Sequence, residues 1–242
     1  MLKKRVFVFG FSVLSVVFLL FSCSSGVESK LHKAGYEADG QGFIEAVKNG
    51  DAESVSLFVK LPGLLNFSDK FGATPLMYAA QSENSAIFLK LIENGANLTV
   101  MDNSERMPLH YAVRGNSVKN VKILLERGAD FNFQDNFGRD AANTFLTFVK
   151  DVNVELFKIV IENSSNLERR DKENKTLFII AAEKGIRSYI EILIDRGVSP
   201  LPKDFKGKTA LDYATEAFEA KAIDEETFAL IADYTRKIKE KL

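Results

Sequence analysis

Cysteine and histidine are almost missing from this chain, with one Cys and two His in 242 residues. That scarcity leaves no Cys/His nucleophile pair and no Cys/His metal cluster, and a lone Cys cannot close a disulfide within the chain. A glycine-rich phosphate loop is also lacking, since Gly72, Gly138 and Gly207 each stand alone. The strings Asp102-Asn103 and Asp135-Asn136 lack the loop spacing and terminal Glu of a calcium-binding EF-hand, and read as turn formers. Five prolines and fifteen glycines are too few for a low-complexity chain, and 46% apolar with 27% charged residues is a globular balance. Excess positive charge is absent too. The chain holds 32 basic and 33 acidic residues, and Lys3, Lys4 and Arg5 precede the first acid, Glu28, so the remainder is mildly acidic. A nucleic-acid partner would need a basic stripe and is not expected. Neither is a cofactor.

A long hydrophobic span is lacking as well. The apolar stretch from Val6 to Phe21 covers 16 residues, short of the roughly 20 that cross a bilayer. With Lys3-Lys4-Arg5 before it, the stretch predicts a cleaved export signal over residues 1–22. The sole cysteine follows directly in Leu20-Phe21-Ser22-Cys23, which resembles the lipobox of bacterial lipoproteins, Phe21 departing from the usual small residue. The resemblance implies lipid on Cys23 and a bacterial membrane anchor, with Ser24 favouring the outer membrane and the folded part outside the cytoplasm. Each buried methylene contributes about 0.8 kcal/mol, so two or more acyl chains hold firmly. Residues 23–38, rich in Ser, Gly, Lys and Glu, read as a flexible tether with a reach of roughly 20–23 Å, and His32 as an exposed tether residue.

Self-similarity dominates the rest. Thr74-Pro75-Leu76-Met77-Tyr78-Ala79-Ala80 is answered 33 residues later by Met107-Pro108-Leu109-His110-Tyr111-Ala112-Val113. Leu91 to Asn97 aligns with Leu124 to Asp130 at the same offset. Thr74 suits a helix N-cap, and Pro75 and Pro108 suit the first helical position, where the missing N–H costs nothing. Gly95 and Gly128 follow apolar runs and supply the left-handed residue that stops a helix. Each unit therefore predicts helix, turn, helix, glycine stop and an Asn/Asp-rich turn. Helix pairs this short cannot bury their own apolar faces, so the units must stack into one continuous core.

The 33-residue period and the T-P-L-H-x-A-like core resemble the ankyrin family. An all-α fold is expected over residues 39–242, a solenoid of about six helix-turn-helix units joined by β-turn or hairpin connections. Phe43 to Val47 begins an N-terminal capping unit, and Thr209 opens the sixth. The last helix, after Asp224-Glu225-Glu226, places Phe228, Ile231, Thr235 and Ile238 on one face and a polar cap on the other. The resemblance implies that His110 hydrogen-bonds neighbouring turns.

The fourth unit breaks the pattern. Thr176 lies 36 rather than 33 residues after Asp140, which places a three-residue insertion around Phe148 to Val152. Phe145 stands where Ala46, Ala79, Ala112, Ala181 and Ala214 stand elsewhere. A ring at that crossing must push its neighbours apart or find a cavity, so a local bend is expected.

The resemblance implies a non-catalytic module that binds another protein through its turn tips and first helices. The tips carried over are Lys70, Phe71 and Ala73; Asn103, Ser104 and Arg106; Asn136, Phe137 and Arg139; Lys172, Glu173 and Lys175; Phe205, Lys206 and Lys208. Phe71, Phe137 and Phe205 read either as rings that fold back onto the adjacent turn or as aromatic anchors, with Arg106, Arg139, Lys172, Lys175 and Lys208 around them suiting an acidic protein surface. One alternative is an enzyme with a pocket at the irregular unit, using Asp140, Lys150, Asp151 or Glu155. Another is a toxin-neutralising or virulence factor, which also acts by binding protein.

Overall fold

The computed structural model describes residues 26–242, and the expected export signal and Cys23 lie outside the described residues. Thirteen helices and no strands are found there: α1 over 26–33, α2 Gly40–Lys48, α3 Ala52–Phe58, α4 Pro75–Gln81, α5 Ser85–Glu93, α6 Pro108–Arg114, α7 Val118–Glu126, α8 Ala141–Phe148, α9 Val154–Asn163, α10 Leu177–Lys184, α11 Arg187–Asp195, α12 Ala210–Glu219 and α13 Glu225–Lys239. The even-numbered helices from α2 to α12 open the units and stack as an inner row; α3 to α13 close them as an outer row.

Local chemistry sets the boundaries. Thr74 accepts from the backbone of Met77 to start α4, and Pro75 occupies its first position. Asp39, Asp51, Ser117, Asp140, Asn153, Thr176, Thr209 and Asp224 cap other helices in the same way. Gly95 (φ 87°) and Gly128 (φ 75°) follow α5 and α7 in the left-handed conformation that the helix stop requires.

Small residues at the inner crossings let the helices close up. Ala46, Ala79, Ala112, Ala181 and Ala214 are all buried, and the flanking large side chains (Phe43, Phe58, Phe88, Phe157, Phe178) have no exposed surface. Full burial of such a side chain contributes about 1.5–3 kcal/mol, and the cluster runs unbroken from Leu31 to Ile231. That continuity is what short stacked helix pairs need.

Residues 26–38 are not a free tether. Residues 26–33 are helical, Leu31 is fully buried and Tyr36 nearly so, and the Tyr36 ring meets Phe58 edge-on at 6.2 Å. Leu31 and Tyr36, with Val27 and Ala38 partly buried beside them, carry the attachment, too few and too widely spaced to read as a periodic apolar face. His32 is exposed, 3.9 Å from Glu37.

The insertion falls where the offset placed it: α8 runs to Phe148 and the connection to α9 occupies residues 149–153. Phe145 is completely buried, and α8 packs less closely on α6 and α10 than α4 does on α6 or α10 on α12. The Phe145 ring stacks on Phe157 (5.2 Å, 27°) and meets Tyr189 edge-on (5.4 Å, 71°). Tyr189 also accepts a hydrogen bond at its hydroxyl from the Asn153 backbone (2.8 Å), so the ring cluster fastens the inserted loop. The outer row is looser at this step, where α7 and α9 pack less closely than the other neighbours and Lys122 bridges to Glu155 at 2.7 Å. At the far end Ile231 and Thr235 are buried and Phe228 and Ile238 half-buried, the face expected for the closing helix.

Candidate functional site

Each unit begins with a turn built on one aspartate. The Oδ1 atoms of Asp69, Asp102, Asp135, Asp171 and Asp204 each accept from the backbone N–H groups two and four residues on, at 2.8–3.0 Å. The fourth residue of the turn is left-handed: Gly72 (φ 78°), Gly138 (73°) and Gly207 (75°), but Glu105 (59°) and Asn174 (62°) in the other two. Backbone bonds from Asn103 to Phe71, Asn136 to Ser104, Lys172 to Phe137 and Phe205 to Glu173 (2.9–3.2 Å) tie successive tips into one row. The tips therefore move as a unit and present their side chains along one edge of the inner helices.

The second oxygen of the aspartate reaches into the unit. Tyr78 donates its hydroxyl to Asp69 (2.7 Å), Tyr111 to Asp102 (2.7 Å) and Tyr213 to Asp204 (2.6 Å). Asp102 collects Arg106 as well, at 2.7 Å from the guanidinium. Burial pushes the Asp102 carboxyl up, but the bonds from Arg106, Tyr111 and the backbone outweigh it and hold the group below the usual carboxylate range. Tyr78 is pushed up to about 12 by burial and by its carboxylate partner, and Tyr111 and Tyr213 move the same way. These tyrosines stay neutral donors at any physiological pH.

His110 is buried on the same row. Its Nδ1 accepts from the Met107 backbone (3.1 Å) and its Nε2 faces the Arg139 carbonyl (3.2 Å), so it bridges to the next turn as the resemblance implied. Burial lowers its pKa, which keeps the imidazole neutral with Nε2 as the donor.

Phe71, Phe137 and Phe205 project from alternate tips with 58%, 49% and 77% of their surface exposed. None folds back onto its turn. Lys70 lies over the Phe71 ring at 5.0 Å and Arg139 over Phe137 at 4.3 Å, contacts that steady the rings in place. Asn103 and Lys172 are exposed, Asn136 and Ser104 half-buried, and Glu173 and Lys206 exposed.

The expected ring of free cations does not form. Arg106 pairs with Asp102 (2.7 Å), Arg139 with Asp135 (2.9 Å), Lys175 with Glu183 (2.7 Å) and Lys208 with Glu216 (2.6 Å). Lys175 is itself buried. Residue types alone could not show this, because each neutralising acid comes from the turn's own aspartate or from the following helix, eight residues on. Of the tip cations, Lys70, Lys172 and Lys206 remain without an ion-pair partner among the described residues. Ala73 is buried and is not part of the surface.

The acids and lysine weighed for chemistry at the fourth unit do not converge. Asp140 is buried as the cap of α8, Lys150 and Asp151 lie exposed on the inserted connection, and Glu155 bonds Lys122. Among the described residues no three His, Cys, Asp or Glu side chains gather as a metal site, and no helix is long and apolar enough to cross a membrane.

With a row of aspartate turns feeding stacked helix pairs, residues 43–135 match the family model for ankyrin repeats, three copies. The chain carries ankyrin repeats. The array is 24% identical over 212 residues to ankyrin repeat protein L371 of Acanthamoeba polyphaga mimivirus, covering 82% of this chain and 27% of that protein. It is 32% identical over 172 residues to neurogenic locus notch homolog protein 1 of Danio rerio, covering 70% of this chain and 6% of that protein. The chain thus spans about a quarter of the first relative and a far smaller part of the second. Among solved structures, the array matches a chain of the complex between the predatory endopeptidase Bd0816 of Bdellovibrio bacteriovorus and immunity protein Bd3460. The TM-score is 0.68 at 26% identity, over 79% of this chain and 96% of that one.

A feature that motif reading missed is a hollow of about 260 Å³ between the third and fourth tips, those of Asp135 and Asp171. The available signal was spacing: tyrosine stands nine residues after the turn aspartate in three units, and Thr144 and Ile180 replace it in the other two.

Proposed function

We propose that this chain is a non-catalytic ankyrin-repeat module that holds another protein against its concave face. The observation that carries the reading is the row of exposed phenylalanines, Phe71, Phe137 and Phe205, set on tips that backbone hydrogen bonds lock together. Aromatic side chains with little rotamer freedom, fixed on a rigid frame, are what protein interfaces use as anchors. Because Arg106, Arg139, Lys175 and Lys208 are already neutralised, the face suits a partner that offers apolar pockets and neutral hydrogen-bonding groups more than a strongly acidic one. Phe71→Ala and Phe137→Ala each weaken partner capture by more than tenfold, on the order of 1.4 kcal/mol or more, with the helix content of the array unchanged. Wild-type capture by both variants overturns the assignment.

The module is held at a bacterial membrane through lipid on Cys23, with the outer membrane favoured, and the array lies outside the cytoplasm. The lipobox-like Leu20-Phe21-Ser22-Cys23 supports this. Cys23→Ser leaves an uncleaved precursor without acyl label; normal processing and membrane retention of that variant count against the anchor.

The likeness to a chain of an endopeptidase–immunity protein complex favours a more specific second reading, in which the partner is a hydrolase that the array occupies. Recovery of a hydrolase from capture, with its activity suppressed in the complex, supports that reading.

A further inference from the structure

The hollow between the third and fourth tips, those of Asp135 and Asp171, is where the inner row lacks a tyrosine. Asp171 builds its turn like the other aspartates, with Oδ1 accepting from Glu173 and Lys175 at 2.9 Å. Nine residues on, where Tyr78, Tyr111 and Tyr213 donate to their own aspartates, the chain has Ile180, which ends in methyl groups and donates nothing. Asp171 is thus the one turn aspartate among the described residues whose second oxygen receives no hydrogen bond, and burial raises its carboxyl above the usual range.

The fourth unit lacks the tyrosine too, but repairs the loss internally. Asp135 takes two bonds from Arg139 (3.1 and 2.9 Å), and the Phe148 ring fills the space beneath Arg114 and Arg139, 4.8 Å from each. What remains beside Thr144 is about 10 Å³, against about 260 Å³ beside Ile180.

The walls of the larger hollow match those around the Tyr213 ring. Around Tyr213 the flanking cations are Lys175 and Lys208, at 5.2 and 5.1 Å from the ring, one from the preceding tip and one from its own. Arg139 and Lys175 stand in the corresponding positions around the hollow, and Phe137 is at its rim. A cationic occupant would face Arg139, Lys172, Lys175 and Lys184, and an anionic one Asp171, Glu173 and Glu183. A neutral ring that donates one hydrogen bond meets neither objection.

Resting on the concave-face reading above, we propose that this hollow receives a tyrosine side chain of the protein partner. Its ring lies between Phe137 and Ile180, and its hydroxyl donates to the free oxygen of Asp171. The partner so completes the one unit whose own tyrosine is missing and uncompensated.

The probe is p-cresol, the tyrosine side chain alone, titrated into the full chain while amide shifts are followed. We expect saturable shifts at Glu173 and Lys175, and binding at least fivefold weaker for 4-methylanisole, which keeps the ring but has no hydrogen to donate. Ile180→Tyr fills the hollow from within: it abolishes the p-cresol shifts and leaves the melting temperature equal or higher. Asp171→Asn keeps an acceptor for both turn N–H groups and removes the preference for p-cresol over 4-methylanisole. Equal binding of the two probes, tighter binding of ethylguanidinium, or p-cresol shifts that persist in Ile180→Tyr overturn the proposal. Partner capture separates the two readings. Undiminished capture by Ile180→Tyr, with loss on Phe71→Ala, overturns the tyrosine site and leaves the concave face standing.

Discussion

Phe145→Ala separates two views of the irregular unit. From sequence alone, a phenylalanine in an alanine position either pushes its neighbours apart, so that trimming it relieves strain, or finds a cavity, so that trimming it empties one. The structure favours the second. Phe145 has no exposed surface, stacks on Phe157 at 5.2 Å and meets Tyr189 at 5.4 Å, while Phe157 and Tyr189 are themselves 4.5 Å apart. Removing a fully buried Phe side chain costs about 3–5 kcal/mol, including the cavity left behind. Within that figure, each lost aromatic pair accounts for about 0.5–1.5 kcal/mol. The collapse also loosens Tyr189, whose hydroxyl holds the Asn153 backbone, so the connection over 149–153 should lose hydrogen-exchange protection first. Urea titration followed by far-ultraviolet circular dichroism reads the magnitude, with Ala112→Phe as the control. In a regular unit that substitution overpacks a site with no exposed surface and costs about 1–3 kcal/mol. An unchanged or raised urea midpoint for Phe145→Ala would refute the packing argument.

Other positions give smaller, signed expectations. Asp171 has its folded pKa raised by burial, so its ionisation opposes folding; Asp171→Asn should raise the melting temperature at pH 7. That gain fades as pH falls through the raised value toward the ordinary range of an aspartate, and a gain that stayed constant with pH would rule out the ionisation argument. Asn143 is fully buried with neither amide atom hydrogen-bonded, so Asn143→Leu should stabilise by about 1–3 kcal/mol; a loss would mean that the amide is satisfied in solution. Glu105 holds a left-handed φ of 59° where Gly72, Gly138 and Gly207 stand in other turns. Glu105→Gly should gain about 0.5–1 kcal/mol by chemical denaturation, the relief of left-handed strain less the added freedom of the unfolded chain.

What the sequence made legible was whatever repeats. The Thr-Pro helix starts, the glycine stops and the three-residue insertion are all properties of spacing, and each appears in α4, after α5 and α7, and over residues 149–153. The helix over 26–33 was hidden because Leu31 and Tyr36 anchor it without an apolar stripe. Where the Phe145 ring goes was not legible, because its alanine-sized position says nothing of Tyr189, which comes from the next unit's outer helix. The basic tips were misread for a related reason: Arg106 and Arg139 turn back onto the very aspartates that shape their turns. The exposed phenylalanines were visible as candidates, yet only burial of the frame beneath them distinguishes an anchor from a residue that folds back.

The most direct test of the central claim is photo-crosslinking from the full chain in the cells that express it, with the crosslinker at Phe137 on the tips or at Lys158 on the exposed side of α9. The account predicts that position 137 captures one discrete protein, that Phe71→Ala reduces its yield more than tenfold, and that position 158 captures nothing comparable. Capture of that protein from position 158 but not from 137 would contradict it.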